Sequence, residues 1–251
     1  WGVGKPIVLL NGMAASRRYW EDLMPELGKK HRVIALDLLG FGMSPKPRNG
    51  TYDVDTHLQS IRETLDYLGV TQPIVLVGHS MGALLALKLA LARPKRVKRL
   101  VMLCAPIYTD PAQTKRYITK GRLALRLAYY GWTSHLLCST WCTGLRPVSK
   151  HAAKLYLRHQ PAHVAEDSVY HSWKAYSESL EHVISRQSVE KDLHRLKLPV
   201  NLVYADKDGA PTLDNLAAFK PLPANVRLEV IPGTHNLPLD DPHAVAKIIV
   251  G

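Results

Sequence analysis

The stretch Ile74-Val75-Leu76-Val77-Gly78-His79-Ser80-Met81-Gly82-Ala83-Leu84 runs from an apolar strand into a helix through a single serine. Gly-x-Ser-x-Gly in that setting predicts a tight turn that strains the serine backbone and lifts its hydroxyl clear of the sheet. Residues two before and two after the serine crowd together in such a turn, so both must be small; here they are Gly78 and Gly82. A helix starting directly after Ser80 aims its free N–H groups and its positive end at a reacting oxygen. The pattern predicts Ser80 as a nucleophile. His79 is its chain neighbour, but adjacent residues on a sharp turn point apart, so His79 reads as packing beside the site.

Outward from this turn, short Val/Ile/Leu runs alternate with helix-like segments, the signature of parallel strands joined by crossover helices. The predicted strands are Pro6–Leu10, Arg32–Leu36, Pro73–Val77, Val97–Leu103, Val200–Tyr204 and Val226–Ile231. The predicted helices are Tyr19–Leu27, with Pro25 inside it, Val54–Leu68, Met81–Ala92, Thr212–Phe219 and Pro242–Val250. The alternation breaks once. Residues 109–196 read as helices only, punctuated by Gly121, Gly131, Gly144, Pro147 and Pro161. The expected fold class is therefore α/β, a mostly parallel doubly wound sheet. Its core is 1–108 and 197–251, with 109–196 inserted as a helical cap over the carboxyl edge, where ligands bind in open α/β sheets. Leu123, Leu125, Leu127, Tyr129, Tyr130 and Trp132 in that insertion form either cap core or the wall of an acyl pocket.

A chain of 251 residues buries enough core to need neither disulfides nor a metal. With 46% apolar and 22% charged residues it has an ordinary globular composition. The net charge is +12, and segment 109–195 holds 13 Lys/Arg against 7 Asp/Glu. Dispersed charge of this kind reads as a solvated face, and with no accompanying motif a nucleic-acid partner is not expected. No apolar run approaches the ~20 residues of a membrane-spanning helix. Three cysteines are too few for a disulfide framework; they suit a reducing compartment and favour a cytoplasmic location. His135, Cys138 and Cys142 fall at i, i+3 and i+7 and could present three soft donors to zinc. Leu136, Leu137 and Trp141 surround them, so the stripe reads as packing and no metal is expected.

Five ordered motifs resemble the α/β-hydrolase fold family, in its cap-bearing serine esterase-like branch, from about Lys5 to Ile249. They are Leu10-Asn11-Gly12-Met13-Ala14-Ala15-Ser16, Asp37-Leu38-Leu39-Gly40-Phe41-Gly42-Met43-Ser44, the turn at Ser80, Ala205-Asp206-Lys207-Asp208, and Gly233-Thr234-His235. The resemblance implies an oxyanion hole made by the backbone N–H groups of Met13 and Met81, with Asn11 and Gly12 supporting the first; the family usually has His-Gly where this chain has Asn11-Gly12. It implies His235 as the base, since the order Ser…Asp…His suits this fold. Seven of the 12 histidines lie in 109–196, where packing or solvent exposure is the default. Of the two acids past the fifth predicted strand, the family's spacing from Ala205 favours Asp208 over Asp206; Asp37 and Asp240 suit a turn and a helix cap.

The implied activity is hydrolysis of a carboxylic ester or related small acyl substrate through an acyl-enzyme on Ser80, without a cofactor. Thioesterase, lactonase, lipid hydrolase and carbon–carbon hydrolase share this machinery, and some members of the fold only bind ligands. A carboxylate nucleophile is absent at position 80, which disfavours dehalogenases and epoxide hydrolases. Carbon–carbon hydrolases often carry Trp after the catalytic histidine, where this chain has Asn236. The family usually begins with two antiparallel strands, for which the residues before Pro6 leave no room.

Overall fold

Six apolar runs pair edge to edge into one sheet in the structure, a computed structural model that describes residues 1–119, 132–209, 212–219 and 221–251. The strands are β1 (Lys5–Leu10), β2 (His31–Leu36), β3 (Ile74–His79), β4 (Val97–Leu103), β5 (Val200–Lys207) and β6 (Val226–Thr234). Their order is β2-β1-β3-β4-β5-β6, and every neighbouring pair is parallel. The chain steps outward from β1 to β2, returns to β3, and then builds in the other direction. The loops after β1 and β3 therefore diverge at a topological switch point, which opens a crevice at the carboxyl edge.

Helices α1 (Met24–Leu27), α2 (Val54–Tyr67) and α3 (Met81–Ala92) connect the first four strands. Between β4 and β5 lie α4 (Pro111–Thr119), α5 (Trp132–Cys138), a π-helical turn (Ser139–Gly144), α6 (Arg146–Tyr156), α7 (Ala162–Asp167), α8 (Trp173–Ser179), a second π turn (Leu180–Ser185) and α9 (Val189–Arg195). Then come α10 (Thr212–Ala217), α11 (Leu237–Asp240) and α12 (Pro242–Val250). Among the described residues no helix is long and apolar enough to cross a membrane. The apolar stretch from Leu123 to Tyr130 lies outside the described residues.

Strand alternation divides the core into two layers. Val8, Leu10, Leu100, Met102, Leu202 and Tyr204 face α2, α3 and α9, while Ile7, Leu9, Val101, Leu103, Val203 and Ala205 face α1 and α12. Both faces of the sheet are covered, which is why its strands read as continuous apolar runs. On α2, Leu58, Ile61 and Leu65 repeat along one face and are buried, and Asp53 caps its first turn by accepting from Thr56 N at 2.9 Å. On α3 apolar residues run all round, and the helix is buried on nearly every side. One predicted helix differs. Tyr19–Leu27 is split into a 3₁₀ turn (Arg17–Trp20) and α1, because Pro25 has no N–H to donate and is tolerated only in a first helical turn.

Candidate active site

Ser80 sits where β3 ends and α3 begins, with φ 53° and ψ −123°. A side-chain-bearing residue in this region carries strain of order 1–3 kcal/mol, which the surroundings must hold in place. They do so tightly. Ser80 N donates to Leu103 O at 2.9 Å. A Cβ on Gly78 would lie 2.3 Å from Gly82 O, and one on Gly82 would lie 2.3 Å from Leu10 O. Among the described residues the other two non-glycine residues at positive φ, Ala14 (55°) and Cys104 (46°), follow β1 and β4, the strands flanking β3.

The three residues singled out from sequence meet at this edge. His235 Nε2 is 3.1 Å from Ser80 Oγ, and His235 Nδ1 is 2.7 Å from Asp208 Oδ1. The Asp208 side chain is 4% exposed and that of His235 is 37% exposed, so the acid is enclosed and the imidazole opens outward. Sheet register explains which aspartate arrives. Lys207 pairs with Thr234, so Asp208 and His235 each stand one residue beyond a paired couple. The register shifts between Ala205 and Lys207, and Asp206, at that irregularity, turns its carboxylate to accept from Gly233 N at 2.9 Å. Asp240 accepts from Thr234 N and Oγ1, and Asp37 accepts from Arg17 N and Met43 N. These three carboxylates hold loops.

The loop after β1 lies against the serine: a Cβ on Gly12 would come within 3.1 Å of Ser80 Cβ. Asn11 is buried and its Nδ2 donates to Ala15 O at 2.8 Å and Gly12 O at 3.0 Å, which ties the loop back on itself. Among the described residues the amides of Met13 and Met81 have no protein acceptor.

Two neighbours have parts that sequence did not reveal. His79 stacks on Tyr19 with ring centroids 4.7 Å apart, and its Nε2–H donates to His235 O at 2.7 Å, so it packs and also ties down the loop that carries His235. Cys104 Sγ lies within 4.8 Å of the Asp208 carboxylate and the His235 ring; burial, then the Asp208 charge, pushes its thiol up, so it stays protonated. Adjacency to Ser80 was the only sequence signal for His79, and Cys104 had none.

Burial holds His79 near a pKa of about 3, with the neighbouring His235 adding to the effect, and burial holds His57 near about 4. His57 Nε2 is 3.0 Å from Ser179 Oγ. Both rings stay neutral in the fold, whereas in the unfolded chain each takes up a proton below its ordinary value of 6.5. Their contribution to stability is full above that value and falls as pH drops towards 4. The expected slope is about 1.4 kcal/mol per pH unit for each histidine. Urea melts at pH 7.5, 6 and 5 check this, with His57→Gln removing one of the two contributions; a slope unchanged by that substitution contradicts it.

A second cluster lies in the helical segment. His135 is exposed and takes no part in it; instead His171 joins Cys138 and Cys142, with their donor atoms all within 4.8 Å of one another.

Comparison with known proteins agrees with this architecture. Residues 5–242 match a family model described as the alpha/beta hydrolase fold. A probable lysophospholipase of Arabidopsis thaliana, BODYGUARD 5, is 24% identical over 251 residues, 91% of this chain and 57% of that protein. The 2-hydroxymuconate semialdehyde hydrolase of Pseudomonas sp. (strain CF600) is 40% identical over 105 residues, 41% of this chain and 37% of that protein. The aligned part of the chain thus spans little more than half of the first relative and less of the second. Among solved structures, E-2-(acetamidomethylene)succinate hydrolase superposes with a TM-score of 0.77 at 19% identity, covering 99% of this chain and 91% of that one, a likeness of fold. With its six-stranded parallel sheet and a family match from the first strand to the last helix, the chain belongs to the alpha/beta hydrolase fold family.

Proposed function

We propose that the protein is a serine hydrolase that cleaves carboxylic esters or related small acyl substrates through an acyl-enzyme on Ser80. The observation that carries this reading is the continuous run of contacts from Ser80 Oγ to His235 and from His235 to Asp208. His235 takes the Ser80 proton as the hydroxyl attacks the acyl carbon, then delivers it to the departing alcohol; water repeats the sequence to release the acid. Asp208 holds Nδ1–H and so keeps Nε2 free to accept. The amides of Met13 and Met81 take up the charge that develops on the acyl oxygen, worth about 2.7–4 kcal/mol for each donor of this kind. The helices inserted between β4 and β5 act as the lid over the carboxyl edge. No cofactor enters these steps.

The lysophospholipase name of one relative favours an amphiphilic ester. The semialdehyde hydrolase favours a second reading, in which the same three residues hydrolyse a semialdehyde substrate. Turnover of p-nitrophenyl esters of graded acyl length by wild type, Asp208→Asn and Asp206→Asn tests the proposal. Wild type is expected to turn over esters with a rate that depends on acyl length. Asp208→Asn is expected to lose about 10⁴-fold in kcat, whereas Asp206→Asn keeps most of the activity. Equal losses in the two variants, or no ester turnover by folded wild type, contradict it.

A further inference from the structure

The helical segment between β4 and β5 carries a set of soft donors that ester hydrolysis does not use. Cys138 closes α5, and Cys142 lies four residues on, inside the π-helical turn Ser139–Gly144. Turns of this kind are rare and gather at functional positions. The third member comes from a separate stretch of chain: His171 Nε2 is 3.5 Å from Cys138 Sγ. His171 and Cys142 are both 7% exposed. The imidazole is fixed from outside the cluster, because His171 forms a β-bridge with Phe41 and its ring lies 5.4 Å from that of Tyr176 and 6.2 Å from that of Phe41. The donors are two sulfurs and one imidazole nitrogen, with all three ligand atoms within 4.8 Å of one another.

The geometry points to a thiophilic cation site of the Zn²⁺ class formed by Cys138 Sγ, Cys142 Sγ and His171 Nε2. The donor types match zinc, which prefers thiolate and imidazole, at about 2.3 Å to sulfur and about 2.0–2.1 Å to nitrogen. Ligands spaced as they are here need only small inward rotations to reach those lengths. Among the described residues no fourth Cys, His, Asp or Glu completes the set, so water takes the remaining position. Binding displaces the thiol protons still present on the two cysteines, and these pass to solvent. Arg146, whose Nε donates to Cys142 O at 2.8 Å, lies beside the pair and offsets part of the thiolate charge. The site would tie the π turn to the stretch bridged to Phe41, pinning the helical segment to a core loop more than a hundred residues away in sequence.

The test uses the full chain without a histidine tag, kept reduced, loaded with Zn²⁺ and desalted, with retained metal measured by mass spectrometry. Wild type and Ser80→Ala are each expected to keep one zinc per chain, which separates this site from the hydrolytic one. The Cys138→Ser/Cys142→Ser variant is expected to lose it. Co²⁺ in place of Zn²⁺ is expected to give a thiolate-to-metal charge-transfer band that is missing from the double variant. His171→Gln keeps both thiols and covers the case in which the double variant fails to fold; it is expected to weaken retention. A folded preparation that titrates three free thiols yet keeps no zinc overturns the proposal, as does zinc retained equally by wild type, the double cysteine variant and His171→Gln.

Discussion

Ser80→Ala is expected to abolish turnover of any ester the wild type cleaves, with kcat falling by about 10⁶-fold, the scale for a nucleophile that acts with its base as one unit. Removing Oγ takes away the atom 3.1 Å from His235 Nε2 and, under the proposed mechanism, leaves that imidazole nothing to activate except water. Stability should barely change. The Ser80 backbone bond to Leu103 O and the packing of Gly78 and Gly82 do not involve the hydroxyl. Kinetics and thermal melts on the same preparation separate the two effects. A variant that melts with wild type and still turns over at more than a thousandth of its rate would show that another residue attacks the substrate.

Gly78→Ala is expected to destabilise the fold strongly. The added Cβ would lie 2.3 Å from Gly82 O and 2.5 Å from Ala83 Cα, both backbone atoms of the buried helix α3. No rotamer relieves a clash between a Cβ, whose position the backbone fixes, and main-chain atoms. Either β3 and α3 separate or the turn at Ser80 opens, and overpacking of this severity exceeds the usual cost of about 1–3 kcal/mol. Activity is expected to fall with it, because any shift of the turn moves Ser80 away from His235. Urea denaturation of Gly78→Ala beside Gly144→Ala checks this, since a Cβ at Gly144 meets only Ser139 O at 4.0 Å. Equal stability for the two variants contradicts it.

The strands and the turn at Ser80 were legible in the sequence because their signals are local. A buried parallel strand writes itself as consecutive Val, Ile and Leu, and a strand-to-helix turn around a nucleophile demands glycines at fixed offsets. Helix Met81–Ala92 was readable from composition alone. By contrast, Asp206 and Asp208 differ only in which side of a register shift they occupy, and that shift depends on how β5 pairs with β6. The tie from His79 to His235 O joins groups 156 residues apart, and the meeting of His171 with Cys138 joins positions 33 apart. Periodicity carries no trace of either. The stripe formed by His135, Cys138 and Cys142 shows the same limit: helical spacing groups the three, but tertiary packing leaves His135 in solvent and supplies His171 in its place. Pro25 had a local effect that sequence flagged, and its result, a 3₁₀ turn followed by the short α1, is a matter of local geometry.

The most direct measurement is peptide mapping after reaction with a fluorophosphonate, which needs an activated hydroxyl but no knowledge of the natural substrate. One phosphonyl group per folded chain is expected, attached to Ser80, with labelling suppressed in His235→Ala. Folded protein that stays unlabelled, or that carries the group on a different side chain, would contradict the assignment of Ser80 as nucleophile.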